Sequence, residues 1–395
     1  MRVGVVGAGI GGLAVAAAFA RGGTEVVVFE RPGVAPVGAG ISLFGNGLRA
    51  LDAIGVGEAV RALGGPPELP AGIRTPGGRW LTRTPPSTTA DLRVVHRSDL
   101  HAILMAAVPT VQHDTVVEVS TTADGAAVVL ESGLRHDFDI VVGADGIGSR
   151  IRSTLFEDPG IRYAGYTAWR GVTTEPVSVT DAGESWGRGE RFGIAPMGDG
   201  RVYWFAVANA PAGGSNSEES DEVTRRFAPW HAPIADLLRA TDPRSILRND
   251  ILELARPSAT LVTGRVALIG DAAHAMTPNL GQGGNQALED AVTLAALVAD
   301  GNATATGSAI AAGLSHYDSV RRARTEPIAR RSRQLGRIAQ TDGRVAAGLR
   351  NAVIRMTPAR TVLRAAEKLQ TWRPPEPLRD RPRPAAAREP GPDKD

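Results

Sequence analysis

Glycines near the N-terminus have the spacing needed to hold a pyrophosphate. Gly7, Gly9 and Gly12 form the pattern G-x-G-x-x-G between a short apolar segment and an alanine-rich one. Glycines at such a strand-to-helix turn let backbone N–H groups approach phosphates, and the helix N-terminus favours a bound anion. Glu30 ends the next β-branched segment, where a carboxylate can accept both hydroxyls of an adenosine ribose. Because that carboxylate would repel a 2′-phosphate, the pattern favours FAD or NAD over NADP, without choosing between the first two.

Two later segments each place an aspartate in a small-residue turn after an apolar strand. Asp145 follows residues 140–143, and Asp271 follows residues 266–270. Ligands of open α/β sheets bind outside the carboxyl ends of the strands. Asp271 is therefore placed to accept hydrogen bonds from a polyol chain. Residues 281–285 would then open a helix whose free N–H groups can face a carbonyl or an anionic ring.

These residues can meet only if strands far apart in the sequence lie side by side. Apolar strands are predicted at residues 1–6 and 25–30 with a helix between them, which is a βαβ unit, and again near residues 140 and 266. Strand-rich sequence separates the last two. We therefore predict an α/β fold: a Rossmann-like βαβ dinucleotide-binding domain with an inserted β-rich domain and C-terminal helices. The predicted limits are 1–65, 91–160 and 255–340 for the dinucleotide-binding domain, 66–90 and 161–254 for the insert, 341–372 for the C-terminal helices, and 373–395 for a disordered Pro/Arg-rich tail.

Composition excludes several classes of function. The chain of 395 residues has no cysteine and a formal net charge of +2. Disulfides, thiolate nucleophiles and cysteine-bound metals are thus excluded, and no metal site is predicted. The arginines between residues 321 and 337 are interpreted as a solvated helix face, and no nucleic-acid partner is expected. No stretch approaches the roughly 18 apolar residues of a spanning helix, and glycines interrupt the apolar run that a signal peptide would need. We expect a cytoplasmic monomer or homodimer without a membrane partner.

The three segments together, above all residues 264–291, resemble the class A flavoprotein monooxygenases of the para-hydroxybenzoate hydroxylase fold. Within that family, the chain is similar to the branch of salicylate hydroxylase, urate hydroxylase and zeaxanthin epoxidase, over residues 1–340. The resemblance implies an FAD-dependent enzyme that consumes NADPH or NADH and O2. It would hydroxylate or epoxidise an aromatic or polycyclic small molecule through a flavin C4a-hydroperoxide. No second G-x-G-x-x-G follows a strand, so we expect the nicotinamide cofactor to dock transiently on the surface.

The resemblance also implies roles for individual residues. The family commonly has a proline before the asparagine of its flavin loop; here Gly45 precedes Asn46, and we expect a looser loop. The implied cofactor contacts are Gly7, Gly9, Gly12, Glu30 and Arg31 for the ADP half of FAD, Val117 for the adenine, Arg97 for the pyrophosphate and ribityl region, Asp145 for a turn serving FAD and NAD(P)H, Asp271 for the ribityl and pyrophosphate region, Ser42 for the flavin loop, and Pro278, Gly281, Gly283, Gly284 and Asn285 beside the isoalloxazine.

Arg191 and Tyr203 are the candidate catalytic residues. Members similar to urate hydroxylase use an arginine and a tyrosine in corresponding strands to hold and activate an anionic substrate. Arg191 would then fix a carboxylate or enolate, and Tyr203 would relay a phenolic proton. In the alternative interpretation, Tyr203 and Phe205 only pack on one face of a strand, and Arg191 lies in a surface turn. His274 is interpreted as a structural residue, and Arg170 as part of the opening of the insert.

Two other classes of function remain open at this point. The first is a flavoenzyme of the same fold without oxygen transfer, such as a reductase, a dehydrogenase or a halogenase, although no W-x-W-x-I-P segment typical of halogenases is present. The second is a non-catalytic escort protein, since escort proteins of prenylated GTPases share this fold. The intact segment 264–285 argues against the second class, because a carrier has no need of a flavin site.

Overall fold

The computed structural model describes residues 1–33, 38–64, 69–85, 91–215, 218–299 and 306–375; most of the predicted disordered tail lies outside them. The strands are β1 (Arg2–Val6), β2 (Glu25–Glu30), β3 (Gly40–Leu43), β4 (Ala71–Arg74), β5 (Trp80–Thr84), β6 (Arg93–His96), β7 (Val111–His113), β8 (Val116–Thr121), β9 (Ala126–Leu130), β10 (Arg135–Phe138), β11 (Ile140–Gly143), β12 (Ile161–Val172), β13 (Gly183–Trp186), β14 (Glu190–Pro196), β15 (Val202–Asn209), β16 (Leu247–Leu254), β17 (Val262–Thr263) and β18 (Val266–Leu268). The helices are α1 (Ile10–Arg21), α2 (Gly45–Ala53), α3 (Gly57–Arg61), α4 (Arg97–Ala106), α5 (Arg150–Leu155), α6 (Glu219–Phe227), α7 (Ile234–Arg239), α8 (Asp271–His274), α9 (Gly283–Val298), α10 (Gly307–Ala339), α11 (Arg344–Met356) and α12 (Ala359–Leu369).

The first sheet brings together the strands that precede the three sequence motifs. Its order is β17-β18-β11-β1-β2-β7, and all neighbours pair in parallel except β17 with β18. Strands β11 and β18 are buried along their whole length, as expected for parallel strands covered on both faces. The turns after β1, β11 and β18 therefore meet at one edge of the sheet. The α/β fold with a parallel dinucleotide-binding sheet is confirmed.

The second sheet has seven strands in the order β16-β12-β15-β14-β13-β4-β5. Strands β4 and β5 precede residue 91 and still join the strands of residues 161–254 through the β4–β13 pair. Side chains alternate between the two faces of this sheet. One face buries Trp169, Phe192 and Trp204 beneath α6 and α7, whose apolar side chains belong to the same cluster. The other face turns toward the edge of the first sheet.

The arginine-rich helix α10 differs from the solvated face expected from the sequence. Arg321 is 1% exposed, and Thr325 and Ser332 on the same helix are also buried. Helix α10 packs against α9, so one side of it belongs to the interior. The expectation that this run is a purely solvated face is therefore wrong for Arg321, because the acidic side chains that it pairs with lie on the buried side of α9.

Candidate active site

A cavity of about 430 Å³ lies between the edge of the first sheet and the inner face of the second; we call it the central cavity. It is lined by the turns after β1, β11 and β18, by the start of α9 and by side chains of the second sheet. Of the residues implied by the family resemblance, the structure brings Gly9, Ser42, Arg97, Asp271, Pro278, Gly281, Gly283, Gly284, Arg191 and Tyr203 to this cavity.

The glycine turn after β1 presents free backbone donors to the central cavity. Gly7 has φ 105°, a conformation that favours glycine. A Cβ on Gly12 would collide with the Gly7 carbonyl oxygen, so Gly12 lets α1 pack against the turn. Gly9 is the N-cap of α1, makes no side-chain capping bond, and has open space where a Cβ would be. The first N–H groups of α1 thus remain available for an anion.

The start of α9 presents a second set of backbone donors to the same cavity. Its N-cap, Gln282, makes no side-chain capping bond, and Gly283 and Gly284 line the central cavity. Gly281 takes the left-handed conformation at φ 62°, which turns the chain into the helix. Two uncapped helix N-termini therefore face one cavity. A ligand with a pyrophosphate at one end and an electron-rich ring at the other fits this arrangement.

We call the part of the central cavity formed by the turns after β1, β11 and β18 and by the start of α9 the cofactor side. Two carboxylates lie in or beside it. Glu30 is the last residue of β2, and its Oε2 accepts a hydrogen bond from the Ala8 N–H at 2.6 Å, which holds the carboxylate at the glycine turn. Arg31 beside it is exposed. Asp271 begins α8 directly after Gly270, is itself exposed, and lines the central cavity. The positions of these two carboxylates fit a ribose bound at Glu30 and a polyol chain bound at Asp271.

Three further implied cofactor residues are not among those that line the central cavity. Asp145 Oδ2 accepts hydrogen bonds from the Arg150 and Ile151 N–H groups at 2.9 and 3.2 Å, and thus caps α5. Asn285 is fully buried and does not line the central cavity; its amide joins Phe44 N–H to the Ser42 carbonyl at 3.0 and 2.9 Å. Val117 is 41% exposed on β8, away from the residues that line the cavity. Direct contacts of Asp145, Asn285 and Val117 with the cofactor stay predictions.

The flavin loop is held more firmly than the missing proline suggested. Asn46 is fully buried, and its amide donates to Gln282 at 3.0 Å and to Glu289 at 2.7 Å. The Gly45 N–H donates to the Gln370 side chain at 3.2 Å. A proline at position 45 has no N–H for that bond. The C-terminal segment therefore holds the start of α2, so the loop is not left loose.

A buried ionic network supports the turn that carries Asp271. Asp290 on α9 accepts hydrogen bonds from the Gly270 N–H at 2.8 Å, from His274 Nε2 at 2.6 Å and from Arg321 Nε at 2.6 Å. Burial alone would raise the pKa of Asp290, but its interactions with His274 and Arg321 hold that pKa far below the ordinary value. Arg321 also donates to Glu289 at 2.6 Å. His274 is thus structural, as the sequence indicated.

The sequence reasoning missed Glu289, Asp290 and Arg321. Two adjacent acidic residues in the middle of a helix without other charged residues, with an arginine-rich helix downstream, are the signal that could have indicated them. Buried carboxylates of this kind must be paired, and arginine is the usual partner.

The inner face of the second sheet forms the opposite side of the central cavity; we call its residues Ala168, Arg170, Arg191, Tyr203, Phe205 and Val207 the substrate wall. The strand register produces this wall. Tyr203, Phe205 and Val207 alternate along β15, Arg191 pairs with Val207, and Arg170 pairs with Phe205. Alternation in β12 turns Ala168 and Arg170 toward the cavity and Trp169 toward the apolar cluster beneath α6 and α7. Arg170 is therefore a wall residue, which its position at the start of the insert did not reveal.

Arg191 is a buried cation at the edge of this wall. It lies in β14, is 2% exposed, and donates to the side chains of Asn279 and Glu184, the latter at 3.4 Å. Its Nε is buried without a hydrogen-bond partner among the described residues. The alternative that placed Arg191 in a surface turn is wrong, because the β13–β14 hairpin turn precedes it and its side chain points into the cavity.

Tyr203 is buried on the same wall. Its ring lies against Gly40, where a Cβ would collide with it. Burial raises the pKa of the Tyr203 phenol, and the charge of the neighbouring Arg170 only partly opposes the shift. Tyr203 therefore stays protonated at neutral pH. It also packs against Phe205, with 6.1 Å between ring centroids, so the packing interpretation and the functional one are compatible.

Comparison with known proteins assigns the family. A family model described as an FAD binding domain matches residues 1–332. The aurachin C monooxygenase/isomerase of Stigmatella aurantiaca is 39% identical over 89% of this chain and 93% of the relative. The chain belongs to the class A flavoprotein monooxygenases. As one of these monooxygenases it is an oxidoreductase with FAD as its cofactor, which decides between the classes of function that the sequence left open.

Two further similarities describe the neighbours of this monooxygenase. The 2-heptyl-3-hydroxy-4(1H)-quinolone synthase of Pseudomonas aeruginosa is 33% identical over 94% of this chain and 98% of the relative. The crystal structure of Klebsiella pneumoniae HpxO complexed with FAD and uric acid is 28% identical, with a TM-score of 0.83 over 94% of this chain and 96% of that one. The resemblance stated from the motifs is thereby confirmed.

Proposed function

We propose that this monooxygenase uses NADPH or NADH and O2 to hydroxylate or epoxidise a bicyclic nitrogen heteroaromatic that carries a carbonyl or hydroxyl oxygen on the ring, with a 2-alkyl-4(1H)-quinolone as the first representative to test. The observation that carries this proposal is the substrate wall, where an aromatic and aliphatic surface is combined with two guanidinium groups. The names of the relatives support the same class, since one is a quinolone synthase and one structural neighbour holds uric acid.

Arg191 would hold the exocyclic oxygen of the substrate. Its Nε is a buried donor without a partner among the described residues, and such a donor is costly to bury unless a ligand accepts from it. An oxyanion or a polarised carbonyl satisfies this donor. Asn279 and Glu184, which line the same cavity, hold the guanidinium in place. Arg191 would therefore fix the orientation of the substrate rather than change its protonation.

Tyr203 would hold a proton at its Oη while the substrate binds. Its raised pKa keeps the phenol protonated at neutral pH, so it can donate a hydrogen bond to a substrate oxygen and pass the Oη proton to that oxygen as negative charge develops on it. Arg170 lies close enough to oppose the pKa shift, and so stabilises any negative charge that develops on Oη. Phe205 and Val207 complete an apolar surface that excludes water from the ring.

FAD, when bound, supplies the activation of O2 for this reaction. The residues present fit it, because two uncapped helix N-termini, Glu30 and Asp271 line or flank one cavity. The backbone N–H groups of Gly283 and Gly284 would lie beside the ring and stabilise negative charge on it. We propose in addition that residues 1–65, 91–160 and 255–340 form the FAD-binding domain, that 66–90 and 161–254 form the substrate domain, and that the enzyme acts in the cytoplasm as a monomer or homodimer.

The test is substrate-stimulated oxidation of the nicotinamide cofactor. The purified holoenzyme is followed at the flavin absorbance, and NADPH and NADH oxidation is measured with a 2-alkyl-4(1H)-quinolone, uric acid and salicylate. We expect the quinolone to stimulate oxidation most and to gain one oxygen atom, detected by mass spectrometry. Stimulation by salicylate but not by either bicyclic compound would contradict the substrate class. Oxidation without an oxygenated product for any of the three would contradict the proposed reaction.

A further inference from the structure

Helix α11 carries a row of large apolar side chains that the fold leaves uncovered. Val345, Leu349, Val353 and Met356 are 86%, 67%, 56% and 82% exposed. Their spacing of four, four and three residues places them on one face of the helix. Isolated exposed apolar residues are ordinary, but a continuous row indicates an interaction surface. We call these four residues the apolar row.

The opposite side of α11 is anchored to the body of the enzyme. Ala347 and Arg350 are 4% and 7% exposed. The Arg350 guanidinium donates to the carbonyl of Ala339 at 2.9 Å and to that of Gly187 at 2.7 Å, which joins α11 to α10 and to the second sheet. The apolar row is therefore presented outward by a docked helix, and its exposure does not come from a detached one.

The same region concentrates positive charge. Residues 344–369 contain five arginines, Lys368 and a single acidic residue, Glu367, which gives a net charge of +5 in a chain whose total is +2. Arg344 and Arg355 on α11 are exposed, and helical geometry places both along one edge of the apolar row. On α12, Arg360, Arg364 and Lys368 are exposed as well.

We propose that α11 and α12 dock the enzyme on an anionic lipid surface, with the apolar row in the boundary between headgroups and acyl chains and the basic residues on the headgroups. An apolar face combined with a basic one is typical of helices that lie in the membrane interface. A second copy of the chain is the other possible cover, but it would bring two strongly basic regions together, which like-charge repulsion disfavours. This inference does not rest on the proposed substrate.

The expectation of no membrane partner was based on the absence of a spanning stretch. No helix among the described residues has the length and apolarity to cross a bilayer. A helix that lies in the interface needs neither, because it buries only one face. The absence of a spanning helix among the described residues is therefore compatible with a helix that lies in the membrane interface.

The experiment is flotation of the full-length holoenzyme with vesicles of phosphatidylcholine alone and with about 30% phosphatidylglycerol. We expect binding to the anionic vesicles, little binding to the neutral ones, and a decrease as NaCl is raised. Leu349→Glu combined with Met356→Glu should weaken binding to anionic vesicles by about tenfold or more. Arg344→Glu combined with Arg355→Glu should weaken it by a similar factor and reduce the salt dependence.

Leu134→Glu is the matched control, since Leu134 is 57% exposed on a different surface. We expect this variant to bind within about twofold of the wild type, and all variants to keep their flavin absorbance and their cofactor oxidation with a soluble substrate. The proposal fails if the wild type does not float with anionic vesicles, or if Leu134→Glu weakens binding as much as the α11 variants. It also fails if sedimentation shows a dimer that Leu349→Glu converts to monomer, because a second copy then covers the apolar row.

Discussion

The cofactor side of the central cavity and the substrate wall are built from different parts of the chain. The cofactor side is mostly backbone: the turn of Gly7 to Gly12 and the first residues of α9 offer N–H groups, and few side chains are needed. The substrate wall is made of side chains from β12, β14 and β15 that alternation turns to one face. The difference teaches that local geometry sets the backbone donors of the cofactor side, whereas strand register sets which side chains share the substrate wall.

The largest expected effect concerns Gly12. Gly12→Ala places a Cβ against the Gly7 carbonyl oxygen and should destabilise the FAD-free protein by about 3 kcal/mol or more, with loss of FAD binding. Gly9→Ala is the matched variant, since its Cβ meets open space; it should keep the thermal stability of the FAD-free protein and weaken only FAD affinity. Calorimetry and flavin fluorescence titration measure both. Equal loss of stability in the two variants would show that the turn is not assembled as described.

Asp290→Asn should have the next largest effect. The substitution removes the buried carboxylate from His274 and one of the two carboxylates that pair with Arg321, which should cost about 3 kcal/mol of unfolding free energy, because Arg321 keeps Glu289. Asp236→Asn, at an exposed pair with Arg239, should change stability by about 0.5 kcal/mol or less. Urea unfolding at neutral pH compares the two. Similar losses would mean that the buried network does not support the cofactor side.

The depressed pKa of Asp290 also predicts how its contribution to stability depends on pH. Because the folded-state pKa of Asp290 is depressed, its stabilisation is fully present above the ordinary carboxyl pKa of about 3.9 and is lost as pH falls toward the folded value. The difference in unfolding free energy between wild type and Asp290→Asn should therefore stay constant from neutral pH down to about pH 5 and decrease only below it. A difference that already disappears between pH 7 and pH 6 would contradict the depressed pKa.

On the substrate wall, Arg191→Ala should lower kcat/KM by about 10- to 100-fold, as expected for the loss of one charge-assisted hydrogen bond. FAD affinity should stay within about twofold, since Arg191 is not among the cofactor contacts. Arg191→Lys should recover only part of the loss, because an ammonium lacks the planar fork of the guanidinium. Steady-state kinetics and flavin titration measure the two quantities. If FAD affinity and kcat/KM fell together, the conclusion that the cofactor side and the substrate wall act separately would be wrong.

Tyr203→Phe should have the smallest effect of the four sites. It removes one hydroxyl and keeps the packing against Gly40 and Phe205, so we expect kcat to fall by about tenfold while KM changes little. Because burial raises the pKa of this phenol, the wild-type rate should show no decrease from its ionisation below about pH 10. An unchanged kcat would mean that Tyr203 only packs, which is the alternative interpretation of the strand pattern.

Much of the fold and of the cofactor side could be predicted from the sequence. A glycine pattern, an aspartate after a strand and a helix start are all local features, and the backbone groups that they expose do not depend on distant partners. Strands β1, β2, β11 and β18 and the start of helix α9 lie close to their predicted positions. Asn285 is an exception, because only its tertiary contact with Phe44 shows that its side chain also binds the protein's own backbone.

The rest was decided by tertiary structure. No local sequence pattern shows whether Arg191 lies in the substrate wall or in a surface turn, or that Arg170 points into the cavity. The face that a strand buries depends on the strands and helices packed against it. Arg321 appeared solvated until α10 was placed against Glu289 and Asp290 of α9. By itself, the sequence determined where backbone would meet a dinucleotide, since that geometry is encoded within a few residues. Which side chains share a cavity depends on contacts between segments more than a hundred residues apart, and only the folded chain brings them together.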